Sequence, residues 1–193
     1  MARPRLHDAA LGDRLLDVAS RTISEHGEAA VTVRSVASAA GTSASAVYAL
    51  FGSRDDLVAA VSAEGFRRFA AHLHAAGRTD DPAADLATLG DAYRTFALAD
   101  PHFYAVMFAR GVRPGGDTRA VDEPTFLVLR DAVARVVPHA PPPTAETAAL
   151  GLWGLVHGLV SLELAGLVPG DGSAREAVYR TATRAVGRAL VTM

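Results

Sequence analysis

The chain has no cysteine and no lysine. Without thiols, neither a disulfide framework nor a thiolate metal site can be built. All 19 basic residues are arginine, which reads as a GC-rich coding bias more than a mechanism. No charge of one sign dominates. The formal net charge is −2, and the first 60 residues set six arginines against seven acids, so bulk charge makes no case for nucleic acid. No stretch approaches the roughly 20 uninterrupted apolar residues of a membrane span, and no signal-like apolar run follows the charged start. A cytoplasmic location with no membrane partner is the expectation. Catalytic signatures are missing too: no Gly-x-Ser-x-Gly elbow, phosphate loop, paired-histidine zinc motif or dinucleotide fingerprint occurs. His72 and His74 lie two apart on a helical pattern and point to different sides, so no metal site is expected. No enzyme and no cofactor are predicted.

What is present is helical periodicity. Half of the 193 residues are apolar, enough for one or two small domains with cores of their own. No alternating strand pattern, internal repeat or low-complexity tract interrupts them, and an all-α fold of about nine helices follows. A first helix is predicted over about Asp8–Glu25 and a fourth runs to about Ala76. Asp81-Pro82 and Asp100-Pro101 each pair a capping acid with a proline suited to the first helical position, so helices start there. Residues 113–118 read as a loop, a helix follows near Glu123–Val137, and Pro138–Pro143 is a break. Two long helices, about Thr144–Leu167 and Ser173–Val191, close the chain, with Ser173 and Glu176 as a capping box for the last.

Residues Thr32 to Leu57 carry the most information. Thr32 can cap a short helix whose Val33, Val36, Ala37 and Ala40 share one face, and Gly41 supplies the backbone freedom for a sharp reversal. Ser43 caps a second helix, in which Val47 and Leu50 are expected to point inward while Ala44, Ser45, Tyr48 and Ala49 face outward. Ser53 with Asp56 starts a third helix on a buried stripe of Leu57, Val58 and Val61. Two short helices joined by a glycine turn are the layout of a DNA-reading helix-turn-helix.

Together with Ala19, Ile23 and Gly27 upstream, this stretch resembles the DNA-binding domain of the TetR (tetracycline-repressor-like) family, through Thr32, Val36, Ala37, Ala40, Gly41, Ser43, Val47, Tyr48, Phe51, Arg54, Asp56 and Leu57. Leu50 departs from the family's usual Tyr-x-His-Phe ending, and Arg54 stands where a lysine is common. The resemblance implies a homodimer that offers one recognition helix per subunit to successive major grooves of a palindromic double-stranded DNA. The implied DNA-binding residues are Arg3, Arg5, Thr32, Arg34, Thr42, Ser43, Ala44, Ser45, Tyr48, Ala49 and Arg54. Tyr48 can bond a phosphate or serve as a packing tyrosine. Arg3 and Arg5 can enter a minor groove as an arm or remain a solvated tail. None of Ala44, Ser45 and Ala49 makes bidentate base contacts, so direct readout is modest: a serine bond to a base edge, alanine contacts to thymine methyls, and shape readout for the rest.

The penultimate helix is the second informative segment. At about 100° per residue, Gly151, Gly154, Gly158, Ser161 and Ala165 gather on one side, Trp153, His157, Val160 and Leu164 on the next. A helix apolar nearly all round must be covered nearly all round, and a second copy meeting the small-residue seam is the simplest cover. The run Ala92-Tyr93-Arg94-x-Phe96-Ala97, then Pro101, Tyr104, Met107 and Phe108, and finally Trp153-x-x-x-His157-Gly158, is similar to the regulatory domain named for its Trp-His-Gly signature in one TetR branch. A ligand site of Tyr93, Phe96, Tyr104, Met107, Phe108, Trp153 and His157 is implied. The same residues also serve as plain core, with His157 a satisfied core histidine.

The expectation is therefore a helix-turn-helix domain over 1–55 and a ligand-binding and dimerisation domain over 56–193, with the boundary inside the fourth helix. A ligand-responsive transcription regulator follows, a repressor released by a small, largely apolar effector. A ligand-binding or protein-interaction dimer without operator specificity is the alternative.

Overall fold

The computed structural model describes residues 5–109 and 124–191. Among them are nine α-helices and one 3-10 turn: α1 (Arg5–His26), the turn Glu28–Ala30, α2 (Val33–Ala39), α3 (Ala44–Phe51), α4 (Arg54–Ala75), α5 (Pro82–Ala99), α6 (Pro101–Ala109), α7 (Pro124–Val136), α8 (Pro142–Leu164) and α9 (Gly172–Val191). The chain forms two compact units, Met1–Arg68 with Asp100–Asp117, and Phe69–Ala99 with Thr118–Met193. Whereas the sequence suggests a change of domain at 55/56, the division by contacts falls further along α4 and gives α6 to the first unit. The loop expected at 113–118 and the start at Glu123 lie outside the described residues.

The first unit is held by a contiguous apolar core in which Leu15, Val36, Val47, Leu57 and Val61 from α1 to α4 meet Phe103 and Val106 of α6. Gly65 lets α6 come close to α4: a Cβ there would fall 2.7 Å from Met107 Cγ. Arg68 adds a polar tie beside this core. Its guanidinium reaches Asp17 of α1 at 3.0 Å, Glu64 at 2.7 Å and Asp100 at 3.3 Å, and it lies 4.2 Å from the centroid of the Phe103 ring.

In the second unit α5, α7 and α8 pack around Leu86, Phe126, Val133, Ala149 and Leu152. Arg94 of α5 and Glu163 of α8 form a bidentate pair at 2.7 and 2.8 Å. Their side chains are only 12% and 7% exposed, so removing either partner leaves an enclosed charge without its counterpart. Tyr179 of α9 donates from its hydroxyl to the Gly90 carbonyl at 2.6 Å, tying a third helix to α5. By length and composition α8 is apolar enough to cross a membrane, but its inner face is the core just described.

Most helix starts follow the capping residues. Thr32 accepts from Ser35 N and Ser43 from Ala46 N, the former as a full capping box. Asp81 Oδ1 accepts from the backbone of Ala83 and Ala84. Three expectations are corrected. The last helix is capped by Asp171, which accepts from Ala174 N and from the Ser173 hydroxyl; Glu176 is drawn instead to Arg180 at 2.7 Å. The penultimate helix begins at Pro142, not Thr144, because a proline at the first turn lacks only an N–H that the helix does not use. It ends at Leu164, where Gly166 N turns back to the Glu163 carbonyl and Leu167 N to that of Leu162.

Asp85 fastens the loop before α5. The Thr79 hydroxyl and backbone N–H, and then the Arg135 guanidinium, hold its carboxyl at about 2, down from the ordinary 3.8. A depressed carboxyl contributes stability above its unfolded value, and that contribution fades as pH falls through the folded one. Urea unfolding followed from pH 5 to pH 2 is expected to show a drop in stability below about pH 4 that Asp85→Asn flattens; identical pH profiles would remove Asp85 from that role.

Candidate DNA-reading face and carboxy-terminal sites

The second helix of the helix-turn-helix stands on one side chain. Val47 is fully enclosed, Ala44, Ala46 and Phe51 are half-covered, and Ser45, Tyr48, Ala49 and Leu50 are exposed. The inward direction expected for Leu50 is thus corrected. Phe51, just over a full turn after Val47, takes the second inner place. Tyr48, at 54% exposure, stands clear of the core. Two positive-φ glycines set the geometry, Gly41 at 68° in the turn and Gly52 at 80° closing α3, where any Cβ would be strained.

Thr32, Arg34 and Ser43 are all exposed, Arg34 on the first turn of α2, where free backbone donors favour anions. Thr42 is half-covered and its backbone N–H bonds Ala37 O at 2.9 Å. Arg3 lies outside the described residues, and Arg5 is the first residue of α1.

Arg54 occupies an architectural position. Its Nε donates to Val31 O at 3.1 Å, one terminal nitrogen to Glu28 O at 2.6 Å, and the other to the carboxylates of Glu28 and Asp55 at 3.2 and 2.8 Å. The guanidinium therefore pins the turn after α1 to the first residue of α4. A lysine cannot satisfy this fork of acceptors. Nothing local announces the role, since Glu28 and Val31 lie 26 and 23 residues upstream.

The expected ligand residues are divided. Tyr104 and Met107 are buried and Phe108 is half-buried in the first unit, where the Tyr104 and Phe108 rings lie 4.9 Å apart at a tilt of 59° and Phe66 meets Phe108 edge-on at 6.2 Å. Tyr93, Phe96, Trp153 and His157 lie in the second. There Phe69 touches both Tyr93 and Phe96, at 5.1 and 5.0 Å, and Trp153 lies between Phe126 and His157. The Tyr93 hydroxyl is 3.1 Å from His157 Nδ1. Burial lowers the His157 pKa, which favours the neutral imidazole beside that hydroxyl. Sequence reasoning missed Glu163, the buried counterion of Arg94: an acid on an apolar helix was the available signal.

On the small-residue side of α8, Gly151, Gly154 and Ala165 are exposed and Gly158 and Ser161 partly so. A Cβ built at Gly151, Gly154 or Gly158 meets no described atom within 4 Å.

A helix-turn-helix with its second helix turned outward, on an otherwise helical chain, defines the class of DNA-binding regulators. The tetR-family profile of bacterial regulatory proteins matches residues 15–61, and the profile of the tetracyclin repressor-like C-terminal domain matches residues 86–186. The chain belongs to the TetR family of DNA-binding transcriptional regulators, which are not enzymes. A protein of unknown function from Rhodococcus sp. RHA1 is 28% identical, with 94% of this chain and 95% of that one covered at a TM-score of 0.75. The TetR-family transcriptional regulator PfmR from Thermus thermophilus is 22% identical over 91% and 98% of the two chains, TM-score 0.72. The fatty acid degradation regulator FadR from Bacillus halodurans shares the fold at 16% identity, over 99% and 97%, TM-score 0.73. No curated protein matches the sequence.

Arg54→Ala is expected to lower the stability of the helix-turn-helix by about 1–2 kcal/mol, the range for a few partly exposed hydrogen bonds to a charged group. Amide exchange should quicken at Val31 and Asp55. Unchanged exchange at both would show that the clamp is ornamental.

Proposed function

We propose that the protein is a homodimeric repressor that leaves its operator when a small, largely apolar effector binds. The observation that carries DNA reading is α3 itself, eight residues with one enclosed side chain and Ser45, Tyr48 and Ala49 turned outward. In this reading Tyr48, Thr32, Thr42, Ser43 and Arg34 position the phosphate backbone. Ala44, Ser45 and Ala49 face the bases, and Arg3 and Arg5 reach the minor groove. Arg54 acts by holding the unit in shape.

Dimerisation is supported by glycines that the subunit's own packing does not require. Each glycine inside a helix costs about 1 kcal/mol relative to alanine, yet Gly151, Gly154 and Gly158 meet no described atom that demands smallness. A second α8 lying across Gly151, Gly154, Gly158, Ser161 and Ala165 would demand it. The Trp153-x-x-x-His157-Gly158 run supports membership of the Trp-His-Gly branch. The aromatic surroundings of Tyr93 and His157 suit an apolar effector with one polar anchor. Release follows from linkage: a ligand that favours a form with wrongly spaced recognition helices weakens DNA binding by the factor that DNA weakens its own. Half-sites one turn apart require helix centres about 34–36 Å apart, or a multiple.

The small side chains on α3 favour one competing reading, a dimer that binds ligand or protein without operator specificity. A gel-shift with the DNA upstream of its own gene separates the two. Specific binding should weaken steeply with salt and resist random competitor. Tyr48→Phe should reduce affinity for all sequences about five-fold, as expected for one hydrogen bond, while Ser45→Ala alters the ranking among sequences. Binding that random DNA displaces equally well would favour the competitor.

Gly158→Leu should leave the subunit folded and shift the species in sedimentation from dimer to monomer. A normal dimer mass for this variant would remove the proposed seam.

A further inference from the structure

The last helix carries charge of one sign. From Ala177 to the end of the chain there are three arginines, Arg180, Arg184 and Arg188, and no acid. Spaced four apart, they share a face of α9 and stand about 6 Å from one another along its axis. At about 100° per residue, Arg184 lies about 140° round the helix from Tyr179, which is buried, and about 120° from Val178, which is exposed. The arginine face is therefore neither the side on which α9 packs nor its outer apolar stripe. All three arginines are exposed.

Arg180 is held by Glu176 at 2.7 Å and by Asp91 of α5 at 3.3 Å. Arg184 and Arg188 form no ion pair with a described residue. Like charges one turn apart destabilise a helix. The negative end of the helix dipole offsets this only in the last turn, where Arg188 stands and Arg184 does not. Along the row runs a groove of about 580 Å³ whose walls include Ser173, Glu176, Arg180, Thr181, Arg184 and Arg188. The acid among them, Glu176, sits at the amino-terminal end in its pair with Arg180, so the uncompensated charge lies at the other end, beyond Thr181.

We propose that this groove binds a small soluble anion bearing two or more phosphate groups, through Arg184 and Arg188, with the Thr181 hydroxyl donating to a phosphate oxygen. Its volume is that of a small-molecule site. A guanidinium presents a fork of donors that matches phosphate bidentately. Two such forks about 6 Å apart along the helix reward a ligand with several anionic groups over one with a single group. A strip about 12 Å long and one helix, about 10 Å, wide is far smaller than the roughly 800 Å² that a stable protein partner covers. The site shares no residue with the aromatic set proposed for the apolar effector, and it does not depend on the DNA-binding reading.

The test titrates the full-length protein, without DNA, with inorganic triphosphate in a calorimeter at constant ionic strength. Binding is expected with a Kd of about 100 μM or tighter, the scale of a few hydrogen bonds to charged groups. Inorganic phosphate, with one anionic group, should bind about ten-fold more weakly. Arg184→Gln combined with Arg188→Gln replaces two exposed side chains by a good helix former, so the thermal melt should stay and triphosphate affinity fall about ten-fold or more. Arg184→Lys, which keeps the charge and loses the fork, should lie between the two. No binding of triphosphate at about 1 mM, equal affinity in wild type and the double variant, or equal affinity for phosphate and triphosphate would overturn the proposal. A double variant with an altered sedimentation mass would overturn it as well, by assigning the row to a contact between copies. Tighter binding of hexaglutamate than of triphosphate would overturn it in favour of an acidic protein partner.

Discussion

Everything on the amino-terminal reading face depends on the enclosure of Val47. A helix of eight residues is too short to persist on its own in water, so α3 exists because the unit's core grips it at that point. The grip is narrow by necessity. A wider buried stripe would draw Ser45, Ala49 or Leu50 inward and remove the exposed face of α3. Arg54 complements it from the other side, fixing the turn after α1 against the start of α4 so that the wall behind Val47 keeps its shape.

Much of this was legible in the sequence, for local reasons. Thr32, Ser43, Ser53, Asp81 and Gly41 act through atoms within a few residues, and each does what its position implied. The family, too, was legible, because helix-turn-helix signals are local and crowded into 26 residues. Errors arose where two local signals competed. Asp171 and Ser173 both make good caps, and the choice fell to Asp171 because Glu176 is engaged by Arg180 and faces Arg94. Leu50 was expected inside from its i, i+3 spacing to Val47, but Phe51, four residues on from Val47, takes the second inner place.

Long-range polar ties were not legible at all. Arg54 and Glu28, Arg94 and Glu163, Asp85 and Arg135 are separated by 26, 69 and 50 residues. Arginines are so numerous in this chain that no one of them stands out. In the second unit the Arg94–Glu163 pair matters for specificity of packing, because an apolar helix such as α8 can slide against its neighbours, whereas a bidentate pair admits one register.

The first unit is assembled from two separated stretches of chain, with Phe103 and Val106 completing a core begun by Leu15. On the ribosome, that core cannot close when α4 emerges; it waits until α5 and α6 have followed. An amino-terminal fragment cut at the end of the recognisable helix-turn-helix would expose the apolar surface that α6 covers. The nascent reader thus stays incomplete through more than half of translation, a window in which the apolar surface awaiting α6 is open to wrong contacts.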